Sequence, residues 1–315
     1  MLMTKFSILI TDGLDERGQS ILRAAANVDD KTGITADDLV KIIAEYDGLI
    51  IRGMTRVTAS VMDAATRLKV VGRAGVGVDN IDLDAAKKRN IIVVNTPTST
   101  TGAVAELTLG LMLALARDIP RADATMKQGE WLKKELEGVE LSGKTLGIIG
   151  YGRIGMDVGK RASAFGMNVI VYDPNVTEDE LKHSDAEPVS IQDLYAWSDF
   201  ISLHLPLNVQ TRDLVGSLAF SQMKDGVRIV CAARGGILDE QALVNALNSG
   251  KVAGAALDVF EQEPPGLTEA VSHPRVIATP HIGAQTAEAQ SRASQDIAHE
   301  ILSALQGKPL RWKVA

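Results

Sequence analysis

The chain has 315 residues, enough for two domains, and its 45% hydrophobic and 23% charged content excludes a disordered chain. Its 40 acidic and 33 basic residues give a net charge of −7, which excludes an overall basic field for nucleic acid or acidic membranes. The single cysteine, Cys231, excludes an internal disulfide and a multi-cysteine metal site. We therefore expect a cytoplasmic protein with no metal, no nucleic-acid partner and no membrane contact.

The first hundred residues alternate short apolar runs with helical patterns. Strands are predicted at Phe6–Thr11, Gly48–Arg52, Lys69–Gly72 and Ile91–Asn95, and helices at Ala36–Tyr46, Ala59–Ala65 and Leu83–Arg89. Apolar strands separated by helices indicate a parallel sheet covered on both faces. The segment Pro97–Gly102 interrupts the alternation, and we interpret it as a hinge or domain boundary.

The alternation restarts after an apolar helix predicted from Gly102 to Ala116. Six further strands are predicted, at Thr145–Gly150, Asn168–Asp173, Phe200–Leu205, Arg228–Ala232, Gly254–Val259 and Val276–Thr279. Six strands with intervening helices match a complete dinucleotide-binding sheet. The stretch from Thr286 to Leu305 has the pattern of one amphipathic helix.

The strongest local signal is Gly-Tyr-Gly-Arg-Ile-Gly at residues 150–155, which follows a predicted strand and opens a predicted helix. Gly150 would make the tight turn, Gly152 would let the backbone approach a pyrophosphate, and Gly155 would allow close packing of helix and strand. The N–H groups of Arg153 and Ile154 would then point at the phosphates from the helix N-terminus.

The next predicted strand ends at Asp173, 18 residues after Gly155. A carboxylate at this spacing accepts the ribose hydroxyls of NAD and repels the 2′-phosphate of NADP, so NAD is the expected cofactor. The alternative is a turn aspartate before Pro174.

Alcohol oxidation by NAD also needs a proton acceptor that is neutral near pH 7, for which histidine is the first candidate. His281 follows a predicted strand, at the edge where parallel sheets bind ligands, and is the leading candidate. His204 also ends a strand and is expected near the cofactor without a chemical role. The other three, His183, His273 and His299, are interpreted as surface or structural residues.

Two further charged positions follow predicted strands. Arg234, before Gly235, suits a carboxylate or a polarised carbonyl. Glu261 and Glu263 follow the next strand, and a carboxylate there could orient the catalytic imidazole. The residues themselves leave open which glutamate does so, or whether both belong to a solvated acidic loop.

Together these residues resemble the D-2-hydroxyacid dehydrogenases, and among them the short-type D-3-phosphoglycerate dehydrogenases. The resemblance covers nearly the whole chain. Its markers are the glycine motif, residues 73–82 (Arg-Ala-Gly-Val-Gly-Val-Asp-Asn-Ile-Asp), 233–236 (Ala-Arg-Gly-Gly), 257–260 (Leu-Asp-Val-Phe), Glu263-Pro264 and 279–284 (Thr-Pro-His-Ile-Gly-Ala).

The resemblance implies an α/β fold of two doubly wound parallel-sheet domains, with a Rossmann NAD domain inserted in a discontinuous flavodoxin-like substrate domain. We expect residues 1–98 and 286–315 to form the substrate domain and residues 99–285 the NAD domain. The resemblance also implies a homodimer through the helix from Gly102 to Ala116 and the segment around Trp131.

The resemblance further implies roles for individual residues. His281 would be the general acid/base, Glu263 its partner, and Arg234 the group that binds the substrate carboxylate. Other cofactor contacts would come from Val76, Leu205, Pro206, Ala232, Ala233, Asp258, Gly283 and Ala284, besides Arg234 and His281. Substrate contacts would come from Val76, Gly77, Arg234 and His281, and from Thr100 in the loop Thr98–Ala103. Arg52 and Arg73 would contact a distal phosphate of the substrate.

The implied reaction is the NAD-dependent oxidation of 3-phospho-D-glycerate to 3-phosphohydroxypyruvate in serine biosynthesis. One departure concerns the substrate side, because Thr98–Ala103 replaces the glycine-rich loop usual in phosphoglycerate dehydrogenases and Thr100 stands in place of its asparagine. Reduction of glyoxylate, hydroxypyruvate or another 2-oxo acid is therefore the alternative within the family. An NAD-sensing binding protein of the corepressor type is the alternative of a different class.

Overall fold

A computed structural model describes residues 5–176, 181 and 184–315. These residues divide into two compact units. The first comprises the described residues up to Thr100 together with Ala284–Ala315, and the second comprises Thr101–Gly283. The chain therefore leaves its first unit once and returns to it near the C-terminus.

The first unit contains a five-stranded parallel sheet. Its strands are β1 (Ser7–Ile10), β2 (Asn27–Asp30), β3 (Gly48–Ile51), β4 (Val70–Arg73) and β5 (Ile92–Asn95), in the order β2-β1-β3-β4-β5. This is the flavodoxin-like order. Successive residues alternate between two buried clusters, with Leu9 and Ile51 on one face and Ile8 and Ile50 on the other. Both faces are covered, as a parallel sheet requires.

Helices cover the faces of this sheet. They are α1 (Glu16–Ala25), α2 (Ala36–Ile42), α3 (Ala59–Ala64) and α4 (Leu83–Lys88), with a C-terminal helix Ala287–Leu305 and a 3₁₀ turn at Ile43–Glu45. Thr35, Thr58, Asp82 and Thr286 cap four of these helices by accepting a backbone N–H. The C-terminal helix packs on α1 so closely that a Cβ on Gly18 would lie 2.5 Å from the Ser294 carbonyl oxygen.

The second unit contains a seven-stranded parallel sheet. Its strands are β6 (Thr145–Ile149), β7 (Asn168–Tyr172), β8 (Glu187–Pro188), β9 (Phe200–Leu203), β10 (Val227–Cys231), β11 (Val252–Leu257) and β12 (Val276–Ala278), in the order β12-β11-β10-β9-β6-β7-β8. Numbered within the unit this is 3-2-1-4-5-6 with one more strand, the Rossmann order. The order reverses between β6 and β9, so ligands bind above the carboxyl ends of these two strands.

The helices of the second unit are α5 (Thr101–Ala116), α6 (Ile119–Lys127), α7 (Arg153–Ala164), α8 (Ile191–Trp197), α9 (Ser217–Gln222), α10 (Glu240–Asn248) and α11 (Glu269–Ser272). The apolar helix α5 packs on α7 and on the sheet, with residues such as Met112 and Ala105 fully buried. Among the described residues, no helix has the length and apolar character needed to cross a membrane.

The predicted fold class is confirmed. The ten predicted strands lie within two residues of observed ones. Two strands were missed: β2, which is largely polar, and β8, which has two residues, one of them proline. The expected six-stranded sheet therefore has seven strands. The helix predicted for Ala36–Tyr46 ends at Ile42 and continues as a 3₁₀ turn.

Candidate active site

The glycine motif forms the turn between β6 and α7. Gly150 has φ +92°, and a Cβ there would lie 2.6 Å from the His204 carbonyl oxygen, so both conformation and space require glycine. A Cβ on Gly155 would collide with the Gly150 carbonyl oxygen, which brings the helix close to the strand. The motif therefore has the conformation that its sequence predicts.

Gly152 differs from the other two glycines. A Cβ on this residue would meet nothing within 4 Å, and Gly152 precedes α7 without a side-chain hydrogen bond to the helix start. The first N–H groups of the helix, including those of Arg153 and Ile154, thus face space that a glycine leaves open. Open space beside oriented N–H donors fits the pyrophosphate of a dinucleotide.

Asp173 follows β7 beside this turn. Its carboxylate accepts the N–H of Tyr151 at 2.9 Å and the N–H of Asn175 at 2.9 Å. The predicted ribose-binding acid is thereby held against the glycine motif. Its position after the second strand of the sheet is the one that binds ribose hydroxyls in dinucleotide folds.

His204 follows β9, directly across the switch point from the glycine motif. Its N–H donates to the Ile149 carbonyl, and its Nε2 lies 2.8 Å from Ser202 Oγ. Its Nδ1 is enclosed and has no hydrogen-bond partner among the described residues. Burial lowers the pKa of His204 to about 4, so the ring is neutral at physiological pH. Leu205 comes next, and its Cδ2 would lie 2.8 Å from a Cβ on Gly150; Pro206 follows it.

The histidine predicted to be catalytic contacts one of the two candidate glutamates. Nδ1 of His281 lies 2.7 Å from Oε2 of Glu263. Glu261 instead lies 3.4 Å from Arg212 and is exposed. The two carboxylates that the sequence left as alternatives are thus separated by the fold. Because Nδ1 faces Glu263, Nε2 is the nitrogen that remains for a substrate.

Burial raises the pKa of Glu263, but several interactions together outweigh it and hold the pKa below its ordinary value. The hydrogen bond and charge of His281 contribute most, followed by the N–H of Phe260, which donates to Oε1 at 3.2 Å, and the charge of Arg234. The carboxylate is therefore ionised throughout the neutral range and presents a negative charge to Nδ1 of His281.

Arg234 enters the site because of the glycine that follows it. A Cβ on Gly235 would collide with the Phe260 carbonyl oxygen, so the loop after β10 lies directly against the loop after β11. The Arg234 guanidinium donates to the Ala233 carbonyl at 2.6 Å and is close enough to lower the pKa of Glu263. Arg234, Glu263 and His281 thus belong to one side-chain cluster.

Cys231 lies beneath this cluster at the end of β10. The residue is 2% exposed, and burial raises the pKa of its thiol to about 11. A buried, protonated thiol is a poor nucleophile and a poor redox group. Cys231 therefore behaves as a core side chain.

Asp258 has a role that sequence reasoning missed. Only 1% exposed, it accepts the Thr279 hydroxyl at 2.6 Å and the N–H groups of Ile282 and Gly283 at 2.9 and 2.8 Å. His281, between these partners, has φ +53°, unusual for a residue with a side chain. Asp258 thus anchors the turn that carries His281. The contact expected between Asp258 and the nicotinamide stays a prediction.

The residues predicted to bind substrate anions lie in the first unit, at the ends of β3 and β4. Arg52 follows β3 and Arg73 ends β4, while Val76 and Gly77 follow in the next turn. Asn95 donates its amide to the Val76 carbonyl at 2.6 Å and so orients this turn. Within the described residues, no group accepts the N–H of Val76 or Gly77, and both residues are partly exposed.

The remaining candidates are less informative. Thr100 is buried, with 3% exposed, and Ala284 accepts a hydrogen bond from Gln290. His273 is partly exposed and His299 is exposed, while His183 lies outside the described residues. Across the described ranges, no group of three or more His, Cys, Asp or Glu side chains could hold a metal ion.

Residues 109–283, more than half of the chain, match the family described as D-isomer specific 2-hydroxyacid dehydrogenase, NAD binding domain. The chain belongs to this family. The predicted family and the predicted cofactor are thereby confirmed. The match falls in the second unit, which holds the glycine motif, Asp173 and the cluster around His281.

The chain is 49% identical to a D-3-phosphoglycerate dehydrogenase of Methanocaldococcus jannaschii over 302 residues, covering 96% of this chain and 58% of that protein. It is 46% identical to a hydroxypyruvate reductase of Thermotoga maritima over 307 residues, covering 96% of this chain and 99% of that protein. The crystal structure of a glyoxylate reductase from Paecilomyes thermophila matches with a TM-score of 0.91 at 33% identity, covering 99% of each chain. The chain thus spans less than two thirds of the length of the phosphoglycerate dehydrogenases that it matches.

Proposed function

We propose that this protein oxidises 3-phospho-D-glycerate to 3-phosphohydroxypyruvate with NAD⁺. The observation that carries the proposal is the 2.7 Å contact between His281 and Glu263, with Arg234 beside it, in a chain of this dehydrogenase family. NAD⁺, when bound, accepts the hydride that leaves C2 of the substrate. The glycine motif at residues 150–155 would hold its pyrophosphate, and Asp173 would hold its ribose.

In this proposal Nε2 of His281 takes the proton of the C2 hydroxyl as the C2–H bond breaks and the carbonyl forms. Glu263 stabilises the imidazolium that results, through Nδ1. Arg234 pairs with the C1 carboxylate and polarises the C2 oxygen. In the reverse direction the imidazolium returns its proton to the C2 oxygen.

A phosphorylated substrate is supported by two arginines at neighbouring strand ends, Arg52 and Arg73, in the first unit. A guanidinium pair suits a phosphate dianion. The N–H groups of Val76 and Gly77 are the proposed second contact for the substrate carboxylate. We accordingly assign the distal phosphate contacts to the first unit and NAD binding to the second.

Reduction of hydroxypyruvate or glyoxylate is the second candidate. It is favoured by 46% identity to a hydroxypyruvate reductase of nearly the same length, and by the altered loop Thr98–Ala103. The two candidates share the proton-transfer and cofactor residues. They differ in whether the distal phosphate contributes to binding.

We also propose a homodimer in the cytoplasm. Among the exposed apolar side chains of the second unit, three lie close together in sequence: Ile119 at 51%, Met126 at 54% and Trp131 at 76%. A depression of about 460 Å³ lies here, lined by Arg117, Ile119, Ala122, Asp123 and Met126. Apolar exposure of this kind suits a self-association surface. Light scattering should give twice the chain mass, and Trp131→Glu should give the monomer; a monomeric wild type would contradict the dimer.

The deciding experiment follows NADH oxidation with 3-phosphohydroxypyruvate, hydroxypyruvate and glyoxylate. We expect kcat/KM to favour the phosphorylated substrate by about a hundredfold, the value of a charge-assisted contact. Equal or higher values for the unphosphorylated acids would select the second candidate. His281→Ala should abolish turnover with all three substrates and leave NADH affinity nearly unchanged, and turnover at the wild-type rate would refute the proton-transfer role.

A further inference from the structure

The loop that carries Arg52 is held by one buried carboxylate. Asp12, which follows β1 and is 8% exposed, accepts the N–H of Arg52 at 2.7 Å, of Met54 at 3.1 Å and of Thr55 at 3.1 Å. The Thr55 hydroxyl also contacts it. A buried carboxylate with this many donors is fully satisfied and has one orientation.

The carbonyl groups of the same loop are held from the opposite side. The Asn80 amide donates to the Arg52 carbonyl at 3.1 Å and to the Thr55 carbonyl at 2.7 Å. Arg73 donates its Nε to the Arg52 carbonyl at 3.2 Å. Donors and acceptors of residues 52–55 are therefore engaged by side chains from three other segments, although the loop has no regular secondary structure.

These bonds place the two arginines together. Ile51 pairs with Arg73 in the register of β3 and β4, so Arg52 leaves the sheet beside Arg73. The Arg73 guanidinium occupies the space where a Cβ on Gly75 would be. The Arg52 guanidinium reaches Gln285 Oε1 at 3.3 Å, within the same unit. A shift of the Asp12-bound loop would move Arg52 relative to Arg73.

We infer that Asp12 is a positioning residue for the distal phosphate of the substrate: with Asn80, it fixes the backbone at Arg52 so that Arg52 and Arg73 form one anion receptor. The inference rests on the proposed function, because it assigns the receptor to a phosphorylated substrate. Asp12 acts through Arg52 and touches no substrate. Loss of Asp12 should therefore weaken the binding of phosphorylated substrates and leave the binding of unphosphorylated substrates nearly unchanged.

The test is Asp12→Asn, which keeps the shape but places an amide NH₂ against backbone donors. We expect KM for 3-phosphohydroxypyruvate to rise by about tenfold to a hundredfold with kcat retained, and kcat/KM for hydroxypyruvate to stay within about twofold. Amide hydrogen exchange at Arg52, Met54 and Thr55 should accelerate. Thr55→Val, which removes only the hydroxyl contact, should raise KM for 3-phosphohydroxypyruvate by a smaller factor.

The matched control is Asp47→Asn. Asp47 is an equally buried carboxylate of the same sheet, but it precedes β3 and contacts Ser7, Arg67 and Lys69. An equal rise in KM in this control would reduce Asp12 to a structural residue and overturn the inference. So would a wild-type KM in Asp12→Asn and Thr55→Val. If the wild-type protein shows no preference for the phosphorylated substrate, the proposed function is refuted instead. The wild-type kinetics alone give that result, without any variant, so the two failures are distinguishable.

Discussion

His204 makes the stability of the second unit depend on pH. Its Nδ1 is enclosed without a partner, and burial lowers its pKa from 6.5 to about 4. The residue as a whole is only partly buried, but the surroundings of the ring nitrogen decide the cost of protonation. Once unfolded, the imidazole binds a proton at the ordinary pKa. The unfolded state therefore binds more protons than the native state between pH 6.5 and 4, so stability falls as pH falls through this range.

The magnitude follows from the two pKa values. A difference of about 2.5 pH units at about 1.4 kcal/mol per unit limits the total loss to about 3 kcal/mol. At about pH 5, the unfolded imidazole is almost fully protonated and the native one is almost neutral, so about 2 kcal/mol is already lost relative to about pH 7.5.

The substitution His204→Gln removes the titrating group and keeps an amide that can reach Ser202. Urea unfolding at about pH 7.5 and at about pH 5 gives the unfolding free energy that each protein loses between the two pH values. This loss should be smaller in the variant than in wild type by about 2 kcal/mol. Hydrogen exchange of β6 and β9 amides reports the same difference for the second unit. His299→Gln, an exposed histidine of the first unit, should keep the wild-type difference. A His204→Gln protein with the full wild-type loss would refute the reasoning.

Three further predictions concern the second unit. Gly155→Ala should lower the unfolding free energy by about 1–3 kcal/mol, because its Cβ would collide with the backbone. Gly152→Ala, whose Cβ would meet open space, should keep the wild-type stability and weaken NADH binding by about tenfold. An equal loss of stability in the two variants would contradict this. Asp173→Ala should raise the ratio of kcat/KM with NADP to that with NAD by at least about tenfold, and an unchanged ratio would place cofactor specificity elsewhere. Glu263→Gln should lower kcat by about a hundredfold or more with NADH affinity retained, and a wild-type kcat would show that His281 needs no charged partner.

The strands that sequence patterns predicted are those with continuous apolar residues. Gly48–Ile51 and Thr145–Ile149 are buried along most of their length, so hydrophobicity alone marks them. The two missed strands have no such run, because Asn27–Asp30 is largely polar and Glu187–Pro188 is exposed. Their pairing depends on the neighbouring strand, which is not a local property.

Site residues divide in the same way. The glycine motif and Asp173 are marked by local backbone geometry and a fixed spacing, so the sequence alone predicts them as cofactor contacts. Asp12 gave no signal, and the turn-holding role of Asp258 gave none, because the hydrogen-bond partners of each lie about 20 to 40 residues away. Their bonds exist only once the strands lie side by side. Asp258 holds the turn around His281, and its expected contact with the cofactor stays a prediction.

By itself the sequence determined the α/β class, the nucleotide-binding turn, the preference for NAD and the short set of candidates for proton transfer. The residues by themselves left open which glutamate meets His281, since Glu261 and Glu263 are two residues apart and equally acidic, and the family resemblance implied Glu263. Only the tertiary structure decided the contact itself, with Glu263 at Nδ1 of His281 and Glu261 at Arg212. The physical reason is that side-chain contacts over distances near 3 Å depend on loop conformation. Here the Gly235 contact with Phe260 and the Asp258 bonds to Ile282 and Gly283 set that conformation.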